Sequence, residues 1–372
     1  MRLGILKEQE SENRVAFLPE HFKNLEQMGF DKISVETGAG TGVNVSDNQY
    51  QEAGATISNR DSILNDSDLV VGIHLPDLSS GNTNAVLITQ MNPMSNIDKV
   101  NQLKANGTTV FSMDMVPRTT KAQAMDVLSS MATSAGYKAI LTAAMHLPKF
   151  FPMFMTAAGT IAPAKVLILG AGVAGLQAIS TARRLGAVVE AFDVRAAAKE
   201  EVLSLGAKFV EVEGATDDTS AGGYAVEQTE EYKAKQAALI QEHAQKADVV
   251  VCTAQIPGRK APLLITEQTV QNMKPGSVVI DLAASTGGNC AFTENDKTIN
   301  VNGVTIVGDS NLASSIPFDS SKMYGKNLIN FFKELINEEG VNFDFENEII
   351  EHTCITYKGE IKSPRIQNII NQ

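Results

Sequence analysis

Gly170, Gly172 and Gly175 stand at the spacing of a GxGxxG turn, directly after the apolar run Val166–Leu169 and at the head of an amphipathic stretch. Such a turn binds phosphate with backbone alone. The first glycine permits the tight bend, the second admits a pyrophosphate close to the backbone, and the third lets the following helix pack on its strand. The helix N-terminus adds N–H donors and a partial positive charge. Glycines at this spacing also arise by chance, so context decides. Here Gly186 stops the helix, a second apolar strand follows, and Asp193 ends that strand, 18 residues beyond Gly175. A carboxylate there accepts hydrogen bonds from an adenosine ribose diol and repels a 2′-phosphate, which favours NAD over NADP. A tight turn without a ligand is the weaker alternative.

Other polar groups fall where such a ligand would meet them. Thr253, Ala254 and Gln255 follow an apolar strand, and ligands of a doubly wound sheet meet the carboxyl ends of its strands. Asp281 and Asn311 occupy similar ends, with a structural turn as an equal alternative for each. Arg118 precedes Gln123, Asp126 and Ser129, whose three-residue spacing puts them on one helical face. That cluster suits a nicotinamide carboxamide, yet the residues alone are better read as helix capping and a solvated face. Gly223 and Tyr224 lie in the polar stretch Gly214–Lys235. They suit a mobile loop over a nucleotide or, better on the residues alone, a surface loop with one packed tyrosine. His21, His74, His146, His243 and His352 show no metal-ligand spacing, and no HExxH, GxSxG or P-loop occurs. Metal and hydrolase chemistry drop out.

The elements that must position these groups alternate. Arg2–Leu6, Ile33–Glu36, Leu69–His74, Ala85–Ile88 and Thr109–Ser112 read as strands, with helices over Pro19–Met28 and Asn96–Ala105. Ala122–Leu147 reads as one long Ala- and Met-rich helical stretch closed by Pro148. Alternation then resumes, from the Lys165–Leu169 strand to that at Val304–Val307, before a helix at Ser320–Asn337 and a hairpin around Lys358–Gly359. This rhythm predicts an α/β protein with two doubly wound, Rossmann-like domains. The expected organisation is an N-terminal α/β domain over 1–127 completed by 338–372, a linking helix over 128–148, a nucleotide domain over 149–319, and a second linking helix over 320–337. The nucleotide domain is thus inserted between two long helices.

Composition sets limits. The 372 residues include 31 basic and 43 acidic ones, a net charge of −12 that disfavours nucleic acid and anionic membrane surfaces as partners. Three cysteines without CxxC spacing argue against a disulfide framework or zinc knuckle and for a reducing compartment. No secretory signal or membrane span is legible, so a soluble protein is expected.

Taken together, these stretches resemble the soluble NAD(H)-binding arm of proton-translocating nicotinamide nucleotide transhydrogenases, a family related to alanine dehydrogenases. The resemblance begins at GILKE and NRVAFLPEHFKNL. It is densest over PRTTKAQAMDVLSS, PMFMTAAGTIAPAKVLILGAGVAGLQAI and AFDVRAAAKEEVLSLGAKF, and continues through AGGYA, KPGSVVIDLA, GGNC and YGKNLINFF. It implies that Gln123 contacts the nicotinamide carboxamide while Arg118, Asp126 and Ser129 hold the ring. It further implies Val173 beneath the pyrophosphate and Asp193 and Arg195 flanking the adenosine ribose. Gly223 and Tyr224 would belong to a loop that closes over the nucleotide, and Val194, Gln236, Thr253, Ala254 and Gln255 would complete the binding set. The same resemblance implies a homodimer in the cytoplasm, docked on membrane subunits of which one carries NADP(H), with hydride passing directly between the two nucleotides.

The runner-up is a stand-alone amino-acid dehydrogenase of the alanine dehydrogenase kind. That family uses a Lys in a KxKEP-like strand and a His in an FxHL-like strand, where this chain reads Gly72-Ile-His-Leu-Pro76 and Leu87-Ile-Thr-Gln-Met91. Arg14, which would grip a carboxylate, is usual in both groups and discriminates nothing. An NAD(H) sensor without enzymatic activity is the non-catalytic alternative. From the transhydrogenase pattern the chain departs at the absent first-domain Lys, at Gln255 and at Met131. Its end at Gln372 without a membrane segment suggests a separately encoded membrane subunit.

Overall fold

The computed structural model describes residues 1–78, 84–195, 197–212, 229–256 and 258–371. The chain divides into two units, Met1–Met131 with Ser314–Gln372, and Ala132–Ala313. The first begins with β1 (Arg2–Ile5), α1 (Phe22–Gln27), β2 (Lys32–Glu36), α2 (Asp47–Glu52), β3 (Thr56–Ser58) and α3 (Arg60–Asp66). β4 (Leu69–His74), β5 (Val86–Gln90), α4 (Ile97–Ala105) and β6 (Val110–Ser112) follow. The division between units falls inside α5 (Val127–His146).

The second unit starts with a hairpin of β7 (Phe154–Thr156) and β8 (Gly159–Ile161), then β9 (Lys165–Leu169), α6 (Val173–Arg184), β10 (Val188–Phe192), α7 (Ala198–Ser204) and β11 (Lys208–Phe209). It ends with α8 (Glu230–Lys246), β12 (Val249–Cys252), α9 (Glu267–Asn272), β13 (Val278–Asp281), β14 (Lys297–Val301) and β15 (Val304–Gly308). The first unit resumes with α10 (Pro317–Leu335), a two-stranded ribbon of β16 (Ile336–Asn337) and β17 (Gly340–Val341), α11 (Glu348–Thr353), β18 (Cys354–Tyr357), β19 (Glu360–Ile361) and α12 (Pro364–Ile370).

Among the described residues the main sheet of the first unit runs β19-β18-β6-β5-β4-β1-β2-β3, and that of the second runs β11-β10-β9-β12-β13-β15-β14. Pairing is parallel except for β18 and β19 in the first and β14 in the second. This is the doubly wound α/β architecture expected from the alternation. Its parallel strands are covered on both faces, so they read as near-continuous apolar runs. Strand β9 illustrates the point. Val166 and Ile168 join one apolar cluster with Ala139 and Ile140 of α5 and Ile179 of α6, while Leu167 and Leu169 join another with Ile240 and Ala244 of α8.

Two local expectations are corrected. The stretch from Ala122 is not one helix. Gln123–Met125 form a single 3-10 turn, Asp126 is extended at φ −72° and ψ 93°, and the α-helix begins at Val127. The polar stretch read as loop through Lys235 is helical from Glu230, with Lys233–Glu230 and Lys235–Glu231 ion pairs on its outside. Its polar surface masks a narrow buried stripe, Ile240 and Ala244, too sparse to stand out as a helical period. The tail hairpin turns at Lys358 and Gly359, both with positive φ (48° and 80°), as a two-residue turn demands. Helix α10, expected as a linker, lies within the first unit.

Candidate functional site

The glycine turn sits at the carboxyl end of β9. Gly170 has φ +101°, and a Cβ there would stand 2.5 Å from Thr253 Oγ1. A Cβ on Gly175 would lie 1.9 Å from the Gly170 carbonyl oxygen, so that glycine is required by the packing of α6 on its strand. Gly172 differs. Beyond its chain neighbours, no heavy atom lies within 4 Å of where its Cβ would be. The protein's own packing does not need a glycine there, whereas a ligand approaching the backbone does. Gly172 caps α6 without a side-chain hydrogen bond, and Val173 beside it is 43% exposed. A 12-residue helix thus presents its first-turn N–H groups with no side chain over them, which fits a pyrophosphate.

Asp193 follows β10, with its side chain 7% exposed. Its Oδ2 accepts the Ala171 N–H at 2.7 Å, tying the glycine turn to the neighbouring strand. Its Oδ1 accepts the Arg195 N–H at 2.8 Å, and the Arg195 guanidinium donates to both oxygens at 2.9 Å. That hydrogen bonding and the carboxylate's charge hold Arg195 above the usual guanidinium range. A ribose would therefore meet a carboxylate–guanidinium pair, not a lone acid. Val194 between them packs on the core beneath.

Thr253 and Ala254 continue from β12. Thr253 Oγ1 donates to the Gly170 carbonyl at 2.9 Å, so the strand ends of β9 and β12 are joined at the turn. Gln255 is exposed, and its amide donates to the Leu282 carbonyl at 2.8 Å. Asp281 is fully buried and accepts from the N–H groups of Ala283, Asn289 and Cys290 and from Thr293 Oγ1. Of its two alternatives, the structural turn holds. The Asn311 N–H donates to Asp309 Oδ1 at 2.7 Å. Gln236 is half-buried on α8, and Gly223 and Tyr224 lie outside the described residues.

In the first unit, the loop 118–126 is fastened by its backbone. Asn327 and Asn330, at helical spacing on α10, both donate to the Ala124 carbonyl, at 2.9 and 3.2 Å. Ala122 and Met125 are buried, which leaves Arg118 and Gln123 exposed. Asp126 is the helix cap. Its carboxylate accepts the Ser129 N–H at 3.0 Å and the Ser129 hydroxyl at 2.6 Å. The shared helical face is thus a correction: Gln123 lies on a separate turn, and Asp126 precedes the helix whose first turn carries Ser129.

The same unit has its own charged group after β1. Arg14 and Glu12 are 5% and 7% exposed and doubly bonded, Nε to Oε1 at 2.8 Å and Nη2 to Oε2 at 2.6 Å. Burial alone would raise Glu12, but Arg14 outweighs it and holds the carboxyl below its usual range. Glu8 accepts the His74 N–H at 3.2 Å and meets its ring Nδ1 at 3.1 Å.

Comparison with known proteins is decisive. Residues 4–135 match the description "Alanine dehydrogenase/PNT, N-terminal domain", and residues 139–364 match "Alanine dehydrogenase/PNT, C-terminal domain". The chain belongs to the alanine dehydrogenase/PNT family. Within that family it is 43% identical to an NAD(P) transhydrogenase subunit alpha chain of Rhodospirillum rubrum, over 98% of this chain and 99% of the relative. The corresponding Rickettsia prowazekii protein is 41% identical over 97% and 96%. Alanine dehydrogenase of Bacillus subtilis is 26% identical over 97% and 92%. A solved transhydrogenase from Sinorhizobium meliloti superposes with TM-score 0.89 at 43% identity, covering 97% of this chain and all of that one. These identities make this family member an oxidoreductase of the transhydrogenase alpha-subunit kind. The residues that fasten its loops, Asn289, Asn327 and Asn330, escaped the sequence analysis. Each is an amide inside a family-like motif, and its role depends on which backbone it reaches.

Proposed function

We propose that the chain is the NAD(H)-binding subunit of a proton-translocating transhydrogenase, catalysing direct hydride transfer between NADH and NADP bound on a partner subunit. The observation that carries this reading is the bare Gly172 backbone at an uncapped helix N-terminus, flanked by Asp193. The hydride chemistry is that of the nicotinamide when bound. The chain's residues bind, orient and exclude water. Backbone N–H groups at the head of α6 hold the pyrophosphate, with Val173 beneath it. Asp193 accepts from the adenosine ribose, which favours NAD over NADP, and Arg195 flanks it. Val194, Gln236, Thr253, Ala254, Gln255, Gly223 and Tyr224 complete the nucleotide contacts. Gln123 contacts the carboxamide, with Arg118, Asp126 and Ser129 fixing the ring. Transfer between two nicotinamides leaves no proton at the reacting carbons, so no general acid or base is needed and positioning supplies the rate.

Among the described residues no helix is long and apolar enough to cross a membrane. Work at a membrane would run through partner subunits, with the chain on the cytoplasmic side. A homodimer is supported by the β7–β8 hairpin region, where Phe150, Met153 and Met155 are 52%, 55% and 75% exposed. From Phe150 to Ala164 no residue is charged, so two copies of a −12 chain would meet there with no like charges face to face. Mixing the chain with an NADP(H)-binding partner subunit and following NADH oxidation by an NADP analogue tests the proposal. Transfer is expected with the partner, and none from pyruvate plus ammonia. NADH binding without any transfer to the partner would overturn it.

A further inference from the structure

We infer that Asn289 is a positioning residue of the nucleotide site, acting through Ala254; the inference rests on the nucleotide reading above. Asn289 is fully buried. Its Oδ1 accepts the Ala254 N–H at 3.1 Å, and its Nδ2 donates to the Ala254 carbonyl at 2.9 Å and to the Pro262 carbonyl at 2.8 Å. One side chain thereby pairs with both peptide groups of Ala254, as a neighbouring strand would.

The need arises from where β12 stops. Its ladder ends at Cys252, and the chain beyond runs irregularly to α9. Buried backbone leaving a sheet must find partners elsewhere. The main chain of Asn289 supplies more of them, its carbonyl accepting the Leu264 and Ile265 N–H groups at 2.8 and 2.9 Å. The Asn289 N–H donates in turn to Asp281 Oδ2 at 2.7 Å, at the end of β13.

These bonds form a continuous route between three strand ends. It runs from Asp281 to Asn289, to Ala254, and through the adjoining Thr253 to the Gly170 carbonyl. The last link is made twice over. Thr253 Oγ1 donates to the Gly170 carbonyl at 2.9 Å and its N–H donates to the Leu169 carbonyl at 2.9 Å, so a shift of Thr253 is passed to the turn. The buried carboxamide therefore sets the backbone that receives the pyrophosphate, without touching the ligand.

The test compares NADH affinity and hydride-transfer kinetics in three variants of the full chain. The chain contains no tryptophan, so bound NADH is read by its own fluorescence. Asn289→Ala should raise the NADH Kd and KM about tenfold while kcat at saturating NADH stays within about twofold. Val279→Ala, a buried β13 core change, controls for stability. Its melting temperature should fall comparably while its Kd stays parental. If Asn289→Ala proves too unstable to assay, Asn289→Asp decides. An ionised carboxylate there faces two carbonyls, whereas a protonated one donates to one of them. Its NADH affinity should thus recover on going from about pH 8 to about pH 6, unlike that of the parental chain. A parental Kd in Asn289→Ala, or equal Kd losses in Asn289→Ala and Val279→Ala, overturns the inference. So does an Asn289→Asp Kd that follows the parental pH profile. A parental chain that binds no NADH would sink the nucleotide reading first, and this inference with it.

Discussion

The two units share the central part of their strand order and use it differently. In the first, β1 is flanked by β2 on one side and β4 on the other; in the second, β9 is flanked by β10 and β12. Each therefore has a point where the order of strands reverses, the place where ligands of doubly wound sheets bind. At the β9 point the chain leaves bare backbone, with open space outside Gly172. At the β1 point it fills the crevice with its own charges: Glu8 holds the end of β4, and Glu12 holds Arg14. The same topology carries the proposed anion site in one unit and a self-satisfied ion pair in the other. Function lies in what occupies the strand ends, not in the fold.

The largest effect that would break this contrast is on stability. Glu12→Gln leaves the buried Arg14 guanidinium without its counter-charge and should cost about 3 kcal/mol. NADH affinity, assigned by the proposal to the other crevice, should not change. The pH sign follows from the depressed Glu12 pKa. Its contribution is complete above the unfolded value of about 4.3 and is lost as pH falls through the lower folded value. Thermal melts of parental and variant chains should therefore converge on acidification below about pH 4. A fall in NADH affinity matching the loss of stability would erase the distinction between the two crevices.

Next come the glycines. Gly175→Ala forces a Cβ against the Gly170 carbonyl, so both the melting temperature and NADH binding should fall, the latter by about 2 kcal/mol. Gly172→Ala meets no protein atom, so its melting temperature should stay parental while NADH titration shows weakened binding. Equal behaviour of the two variants would mean that the space outside Gly172 is not a ligand site.

The fold was legible where periodicity is strong. Leu69–His74, Lys165–Leu169 and Val188–Phe192 were bounded to the residue, because a strand covered on both faces is a near-continuous apolar run, interrupted inside these three only by Gly72 and Glu190. The short helices α2 and α3 escaped notice, since their signals are a few capping side chains, Ser46 with Gln49 in one and Asn59 in the other. The glycine turn was legible because its backbone demands are written in residue type. Asn289 was not: an amide shows its role only once the chain brings Ala254 to it.

Asp193→Ala should weaken NADH binding by at least about 1 kcal/mol, through lost charge-assisted hydrogen bonds. The same change removes the acceptor for Ala171 N–H and the partner of Arg195. An unchanged titration would remove Asp193 from the site.

The smallest effect on binding is expected in the first unit, at the exposed residues of loop 118–126. Its shape is set by buried Ala122 and Met125 and by the hold of Asn327 and Asn330 on the Ala124 carbonyl. Truncating the exposed Gln123 side chain therefore leaves that fastening in place. Gln123→Ala should keep the parental melting temperature and bind NADH within about 0.5 kcal/mol, yet slow hydride transfer, as removal of a purely orienting contact does. Arg118→Ala should likewise lose more in transfer rate than in affinity. Stopped-flow transfer at saturating NADH separates the two quantities. If both variants transfer at the parental rate, the loop plays no part in orienting the ring. The chemistry would then rest on the second unit alone, and the contrast would sharpen into one working crevice and one purely structural unit.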